Sequence, residues 1–204
     1  DDGVIFGDGG QLPLEKLGLE IILPEIPLAE RLLSTPGLKA YIGGYRANPA
    51  TVFQQVKDVV SRFIDFDHSL ADQDAMAELV ACYILATWFL DAFTVTGYLW
   101  PNGDRGSGKT QLLIVIAKLA YLGYLVQASG SFAALRDLAD YGATLAFDDA
   151  EDLADPRRTS AEKRALLLAG NRRGSTIPLK EKDADQNWVT RHVETFSFRL
   201  FSAI

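Results

Sequence analysis

The chain contains little sulfur and little histidine: 204 residues include one cysteine, one methionine and two histidines. The single Cys82 excludes a disulfide within the chain and favours a reducing compartment. Because Cys82 lies in an apolar segment, we expect it in the core. His68 has no neighbour at metal-ligand spacing, so we expect a surface side chain and not a ligand.

Long hydrophobic runs are also missing. The longest one, residues 79–90, is too short to span a bilayer and is bracketed by Glu78 and Asp91. No secretory signal is visible at the N-terminus. These features predict a soluble, cytoplasmic protein that is not associated with a membrane. The chain opens with Asp1 instead of methionine and stops in a strand-like run, so we expect a fragment of a longer protein.

Acidic residues outnumber basic ones, 27 to 20, which gives a net charge of −7. A chain with this net negative charge is not expected to bind polyanions over its whole surface. Its apolar content of 48% is ample for a core. The length predicts one large domain, or one domain with a helical appendage.

One motif carries most of the chemical information. Residues 103–110 fit the pattern G-x-x-x-x-G-K-[ST], after a strand-like stretch at 94–100 and before a helical pattern at 111–122. Strand, glycine loop and helix in this order are the context of a phosphate-binding loop. The predicted nucleotide-binding residues are Gly103, Asp104, Arg105, Gly106, Ser107, Gly108, Lys109 and Thr110.

The chemistry explains these residue types. Glycines let successive backbone N–H groups point at phosphate oxygens, and the following helix adds its positive N-terminal end. Lys109 is expected to reach the β- and γ-phosphates, and the Thr110 hydroxyl to bind Mg²⁺. Asp104 and Arg105 lie outside the motif and are more simply read as solvated. No guanine-specific N-K-x-D sequence follows, which favours ATP over GTP.

Acidic residues follow a buried-strand pattern at 143–147. In phosphate-loop enzymes an acid at this place holds Mg²⁺, and a neighbouring acid orients the attacking water. We assign Asp148 to Mg²⁺. Asp149 is the first choice for water activation and Glu151 is its rival. The alternative is an acidic first turn of a helix.

A basic stretch follows, with eight basic residues against four acids between residues 155 and 183. A solvated charged surface is the default interpretation. Alternatively, Arg172 or Arg173 supplies charge to the ATP of an adjacent subunit, while Lys180 and Lys182 contact nucleic-acid phosphates. Only Trp188 and His192 lie near, so the sequence does not predict a base-stacking site.

The chain divides into an irregular segment at 1–48, a helical segment at 49–93 and an α/β core at 94–204 that we expect to be C-terminally incomplete. The helical segment predicts a helix from Asn48-Pro49 to about Phe66, with Phe63 on its buried face, and a second, fully buried one over 74–93. The core reads β-α-β-α-β, typical of a parallel sheet with helices on both faces. Further elements are predicted as a helix at 159–169, a strand at 175–179 and a last strand from 193.

Together these segments resemble the ATPase domain of primase-helicase proteins from phages, plasmids and other mobile elements, within the AAA+ and superfamily 3 helicase-like P-loop ATPases. The resemblance covers about residues 70–204. It implies a ring, usually a hexamer, with Mg²⁺-ATP at subunit interfaces and DNA in a central channel. It also implies a trans arginine at Arg172 or Arg173 and a polar sensor near Ser202. The Asp-Asp pair departs from the usual Asp-Glu.

Three functions are open on the sequence. The first is an ATP-hydrolysing motor that acts on DNA. The second is a small-molecule kinase with the same loop, although no arginine-rich lid follows the core helices. The third is an ATP-gated switch or scaffold with slow turnover, which the shorter Asp149 keeps open.

Overall fold

A computed structural model describes residues 4–7, 10–13, 34–126, 131–148, 150, 164, 166, 169–182 and 186–202. Its strands are β1 (Val4–Gly7), β2 (Gly10–Pro13), β3 (Tyr98–Leu99), β4 (Tyr124–Val126), β5 (Leu145–Phe147), β6 (Thr176–Lys182), β7 (Trp188–Glu194) and β8 (Arg199–Phe201). Its α-helices are α1 (Thr35–Ile42), α2 (Pro49–Phe63), α3 (Gln73–Thr87), α4 (Lys109–Leu119) and α5 (Phe132–Asp140).

A four-stranded parallel sheet in the order β3-β8-β5-β4 organises the core. The chain leaves β3, crosses through α4 to β4 at the far edge, and returns through β5 to β8 beside β3. All four strands therefore end at one edge of the sheet. The protein is α/β, as the alternation of elements predicts, and two antiparallel pairs, β1-β2 and β6-β7, lie outside this sheet.

Side chains of successive strand residues point to opposite faces of the sheet. Ala146 and Leu200 face one side, where they pack with apolar residues of α2, α3 and α4. Leu145, Phe147 and Phe201 face the other side and pack with α5. The prediction of helices on both faces is confirmed.

The two helices before the sheet start where the sequence predicts. Asn48 caps α2, with its Oδ1 accepting a hydrogen bond from the Ala50 amide at 2.9 Å, and Pro49 occupies the first turn. Asp72 caps α3 by accepting from the Ala75 amide at 2.8 Å. Between the helices, Lys57 forms ion pairs with Asp74 at 2.7 Å and Glu78 at 2.9 Å.

The end of the second helix was predicted wrongly. α3 stops at Thr87, not near residue 93, and a short 3₁₀ turn at Leu90–Ala92 follows. The Thr87 hydroxyl donates to the Ile84 carbonyl at 2.6 Å and accepts from the Tyr121 amide at 2.9 Å. This side chain therefore links the end of α3 to the residues just before β4. Beyond Thr87 the chain turns away from the core.

Several apolar residues of these helices, and of the chain just after α3, are exposed, although the sequence predicts burial. Cys82, Phe63, Trp88 and Phe89 all lie at the surface. The buried stripe of α3 is formed by Ala77, Val80, Ala81, Ile84 and Thr87. These residues recur at helical spacing and therefore lie on one side of α3. Although α3 is apolar nearly all round, only that side is buried.

The last strand was also misplaced. Residues 188–194 pair with 176–182 as an antiparallel hairpin, in a register from Thr176 opposite Glu194 to Lys182 opposite Trp188. The final sheet strand is therefore β8, six residues later than predicted. The strand predicted over 94–100 contracts to Tyr98–Leu99. The helix predicted at 159–169 lies mostly outside the described residues.

Arg199 is fully buried at the start of β8. Its guanidinium donates to the carbonyls of Leu166 and Thr195, both at 2.6 Å, and to the Ser197 hydroxyl at 3.2 Å. A Cβ at Gly170 would lie 2.0 Å from its Nη2. The buried cation thus requires glycine at position 170 and joins Leu166 to β8.

Among the described helices, none combines the length and the apolar character that crossing a membrane requires.

Burial raises the pKa of Tyr83, whose hydroxyl donates to the Arg199 carbonyl at 2.8 Å. Above pH 10 the unfolded tyrosine ionises and the folded one does not, so the folded state holds the extra proton and stability falls as pH rises. We expect the unfolding free energy to drop by about 1.4 kcal/mol per pH unit from this group. Urea unfolding between pH 8 and 11 measures the slope, and Tyr83→Phe should reduce it, leaving the part due to Tyr98, whose pKa is also raised by burial; an unchanged slope would contradict the assignment.

Candidate functional site

A glycine loop connects β3 to α4 at the carboxyl edge of the sheet. Gly106 and Gly108 have φ angles of +83° and +86°, in the left-handed region that side chains with a Cβ avoid. A Cβ at Gly103 would lie 2.6 Å from the Ser107 hydroxyl. The loop conformation therefore depends on glycine at three motif positions, and it presents the N-terminal end of α4 at this edge.

Lys109 lies at the first position of α4, directly after Gly108. Its ammonium donates to the carbonyls of Gly103 at 2.5 Å and Asp104 at 2.9 Å. The side chain therefore runs back across the loop, and its charge lies beside two backbone carbonyls. A positive charge at the start of a helix favours an anion.

Asp148 lies one residue after β5, where its carboxylate is held by two hydroxyl groups. Thr110 donates to Oδ2 at 2.8 Å, and Ser202 donates to Oδ1 at 2.6 Å. Backbone hydrogen bonds fix this end of the sheet: the Ser202 amide donates to the Phe147 carbonyl at 2.9 Å, and the Ala150 amide to the Ser202 carbonyl at 2.7 Å. Hydroxyl groups from two separate segments thus converge on a carboxylate carried by a third.

The oxygen atoms of Thr110 and Asp148 could hold Mg²⁺. Two cis ligands of an octahedral Mg²⁺ with bonds of about 2.0–2.1 Å lie about 2.9 Å apart, so the 2.8 Å hydrogen-bond distance between Thr110 Oγ1 and Asp148 Oδ2 would need to change little. Within the residues that the structure describes, no group of three or more His, Cys, Asp or Glu side chains could hold a metal. One carboxylate with a hydroxyl suits Mg²⁺, which keeps several waters.

A cavity of about 410 Å³ opens over the loop, within the range of small-molecule sites. Its walls are formed by Arg105, Gly106, Ser107, Gly108, Lys109, Thr110, Gln111, Ile114 and Asp148. Arg105, read from the sequence as more simply solvated, lies on this wall. Asp149 and Glu151, the two candidates for water activation, lie outside the described residues.

Arg172 and Arg173 lie at the opposite, amino-terminal edge of the sheet. Arg172 bridges Val95 through the backbone, ahead of β3. The Arg173 guanidinium donates to the carbonyls of Phe93 at 3.0 Å and Leu90 at 3.1 Å. The structure therefore does not bring either arginine to Lys109 of the same chain, and Arg173 is occupied in holding the turn after α3.

The β6-β7 hairpin carries a surface that the sequence did not predict. Directly opposed residues of an antiparallel pair share a face. Lys182 lies opposite Trp188, Lys180 opposite Thr190, and Pro178 opposite His192, and all six are exposed. The Lys182 ammonium lies 5.7 Å from the Trp188 ring centre. We call the surface formed by these six residues the basic-aromatic face. The signal that could have revealed it is a second strand of the same length as β6 that pairs with it, and only the first of the two strands was predicted.

The root of the hairpin is fixed to the core. Asp140 at the end of α5 forms an ion pair with Arg191 and accepts a hydrogen bond from the Glu194 amide at 3.0 Å. Thr195 donates through its amide to the Ser175 carbonyl at 2.9 Å. The basic-aromatic face therefore has a defined orientation on the α/β core.

A scan against protein-family models finds no match for this chain, and no curated protein matches its sequence.

Removing one hydroxyl tests the cluster around Asp148. Ser202→Ala deletes the donor to Oδ1, so the carboxylate loses one of its two positioning contacts. We expect the Mg²⁺ concentration needed for nucleotide binding to rise about 10-fold. An Mg²⁺ titration of nucleotide binding measures this, with the exposed Ser69→Ala as the control; an unchanged Mg²⁺ requirement would show that Ser202 does not position Asp148.

Proposed function

We propose that this chain is a cytoplasmic Mg²⁺-dependent ATPase with a P-loop fold, a motor domain of the primase-helicase type that forms a ring and acts on DNA. One observation carries the proposal. The Asp148 carboxylate contacts the hydroxyl of Thr110, at the start of the helix behind the glycine loop, and that of Ser202, at the end of the central strand. This arrangement is what a phosphate loop needs to hold a metal-bound triphosphate.

The residues divide the work by their chemistry. The glycine-loop amides and Lys109 bind the β- and γ-phosphates, and Thr110 with Asp148 holds Mg²⁺. Bound there, Mg²⁺ neutralises charge that develops on the phosphate oxygens. Ser202 fixes the orientation of Asp148. Asp149 or Glu151 is proposed to orient the attacking water.

The basic-aromatic face supports DNA as the partner. Lys180 and Lys182 attract phosphates, while Trp188, about two-thirds exposed, offers a ring on which a base can stack. Because Asp140 holds the hairpin root on the α/β core, the face proposed to contact DNA and the site proposed to bind ATP belong to the same folded unit.

The position of the arginines supports a ring. Arg172 lies at the sheet edge opposite the phosphate loop and cannot serve the site of its own chain. In a head-to-tail ring, this edge of one chain faces the nucleotide site of the next chain, where an arginine that acts in trans must lie. Of the two candidates Arg172 is preferred, because the guanidinium of Arg173 already binds the Phe93 and Leu90 carbonyls.

Steady-state ATP hydrolysis with and without single-stranded DNA tests the proposal. We expect turnover that rises with DNA and falls to background in Lys109→Ala, because the ammonium contacts the transferred phosphate. Replacing Lys180 and Lys182 by alanine should weaken DNA binding and reduce its salt dependence. The double exchange Lys39→Ala and Lys118→Ala, which also removes two positive charges, is the matched control.

The outcomes separate the candidate functions. Tight, Lys109-dependent ATP binding without turnover in either condition favours the switch and excludes the motor. Phosphate transfer to a small molecule with no DNA response favours the kinase.

The two arginines predict different defects. Arg172→Ala should reduce turnover about 1,000-fold without changing the melting temperature, since its side chain serves the neighbouring site. Arg173→Ala should lower stability by about 1 kcal/mol through its lost carbonyl contacts. Mixing Arg172→Ala with Lys109→Ala is the sharpest assay, because a mixed ring contains interfaces with one intact loop and one intact arginine. No recovery of turnover in the mixture would argue against a trans role.

A further inference from the structure

One cation on the wall of the cavity over the glycine loop is unpaired among the described residues. Arg105 lies on that wall and its side chain is exposed. Within the part of the chain that the structure describes, no residue forms a hydrogen bond or an ion pair with its guanidinium. The Asp148 carboxylate on the same wall is bound by the hydroxyls of Thr110 and Ser202 instead. The N–H donors of Arg105 are therefore available to a ligand in the cavity.

A tight turn fixes the position of Arg105 in the loop. The Ser107 amide donates to the Asp104 carbonyl at 3.1 Å and closes the turn. Arg105 and Gly106 are its two central residues. Gly106 has a φ of +83°, which the second central position of a type II turn requires. The side chain of Arg105 therefore starts at a defined corner of the loop.

The same turn lies beside the ammonium of Lys109. The Lys109 Nζ donates to the Asp104 carbonyl at 2.9 Å, and this carbonyl belongs to the peptide bond that leads into Arg105. In the proposed function this ammonium binds the β- and γ-phosphates. A phosphate group bound at Lys109 therefore lies within reach of the Arg105 side chain.

The terminal phosphate receives fewer donors from the loop than the other phosphates do. Backbone amides of such a loop cradle the phosphates nearer the nucleoside, and the lysine reaches the β- and γ-phosphates. The γ-phosphate carries three oxygens over which charge is spread during transfer. A second cation beside Lys109 pairs with these oxygens at short range. The planar guanidinium of an arginine suits this role, because it donates two parallel hydrogen bonds to one phosphate.

We propose that Arg105 binds the γ-phosphate and makes the site selective for a nucleoside triphosphate over the diphosphate. The inference rests on the proposed function and deepens it, because it states which phosphate the loop distinguishes. The contact forms with ATP and has no counterpart with ADP, so Arg105 raises the affinity for ATP alone. Lys109 differs, since it contacts the β-phosphate as well and serves both nucleotides.

Calorimetric titration of the full chain tests the contact, with Mg²⁺-ADP and with the Mg²⁺ complex of β,γ-imido-ATP, which is not hydrolysed. Arg105→Ala should weaken binding of the triphosphate about 30-fold and change binding of ADP by less than about 2-fold, because one hydrogen-bonded contact to a charged group is lost with the triphosphate only. Lys109→Ala should weaken both. ADP binds the same loop amides, so an unchanged affinity for ADP shows that the loop is intact in Arg105→Ala.

Two further exchanges control for charge and shape. Arg62→Ala removes an exposed arginine in the last turn of α2, outside the cavity wall, and should leave both affinities unchanged. Arg105→Lys keeps the charge and loses the fork of donors, so it should restore part of the preference for the triphosphate. Without nucleotide, all three arginine variants should melt at the temperature of the wild type, because both side chains are exposed.

The outcomes separate the inference from the proposed function. Equal losses for both nucleotides in Arg105→Ala, no loss for either, or an Arg105→Lys variant that restores nothing would overturn the inference and leave the ATPase proposal in place. A wild type that binds neither nucleotide would overturn both. A selective loss of triphosphate binding in a chain that hydrolyses no ATP would support the inference and exclude the motor.

Discussion

The insertion of β8 between β3 and β5 is the constraint on which the rest of the structure depends. Parallel pairing on both sides fixes the register of β8 and carries the residue after it to the edge where the glycine loop and Asp148 lie. Ser202 therefore reaches Asp148 at 2.6 Å, although 54 residues separate the two in sequence. Without that strand the site would lack the hydroxyl contact to Oδ1.

Much of this could be predicted from sequence where a local rule fixes the outcome. The glycine motif, the Asn48 cap and the alternation of strands and helices each follow from nearby residues, and the structure has the loop, the helix start and the parallel sheet in those places. The end of α3 could not be predicted in this way. It depends on the Thr87 hydroxyl and the amide of Tyr121, a contact between residues distant in sequence.

The site was partly predictable for the same reason. Thr110 and Asp148 follow from motif and strand pattern, whereas the basic-aromatic face depends on cross-strand register, which neither strand specifies alone. The assignment of Cys82 and Phe63 to the core failed because an apolar residue type shows only that a side chain can be buried, not that it is buried. Which side of a helix is covered depends on the elements packed against it.

The buried guanidinium of Arg199 has a mechanical consequence. It binds the carbonyl of Thr195, the residue that follows the hairpin, and it belongs to the strand whose continuation holds Asp148 through Ser202. The hairpin root and the Asp148 carboxylate are thus joined through β8, with the buried guanidinium between them. Only residues 196–201 separate Thr195 from Ser202, so little chain is available to absorb a displacement of the hairpin before it reaches Asp148.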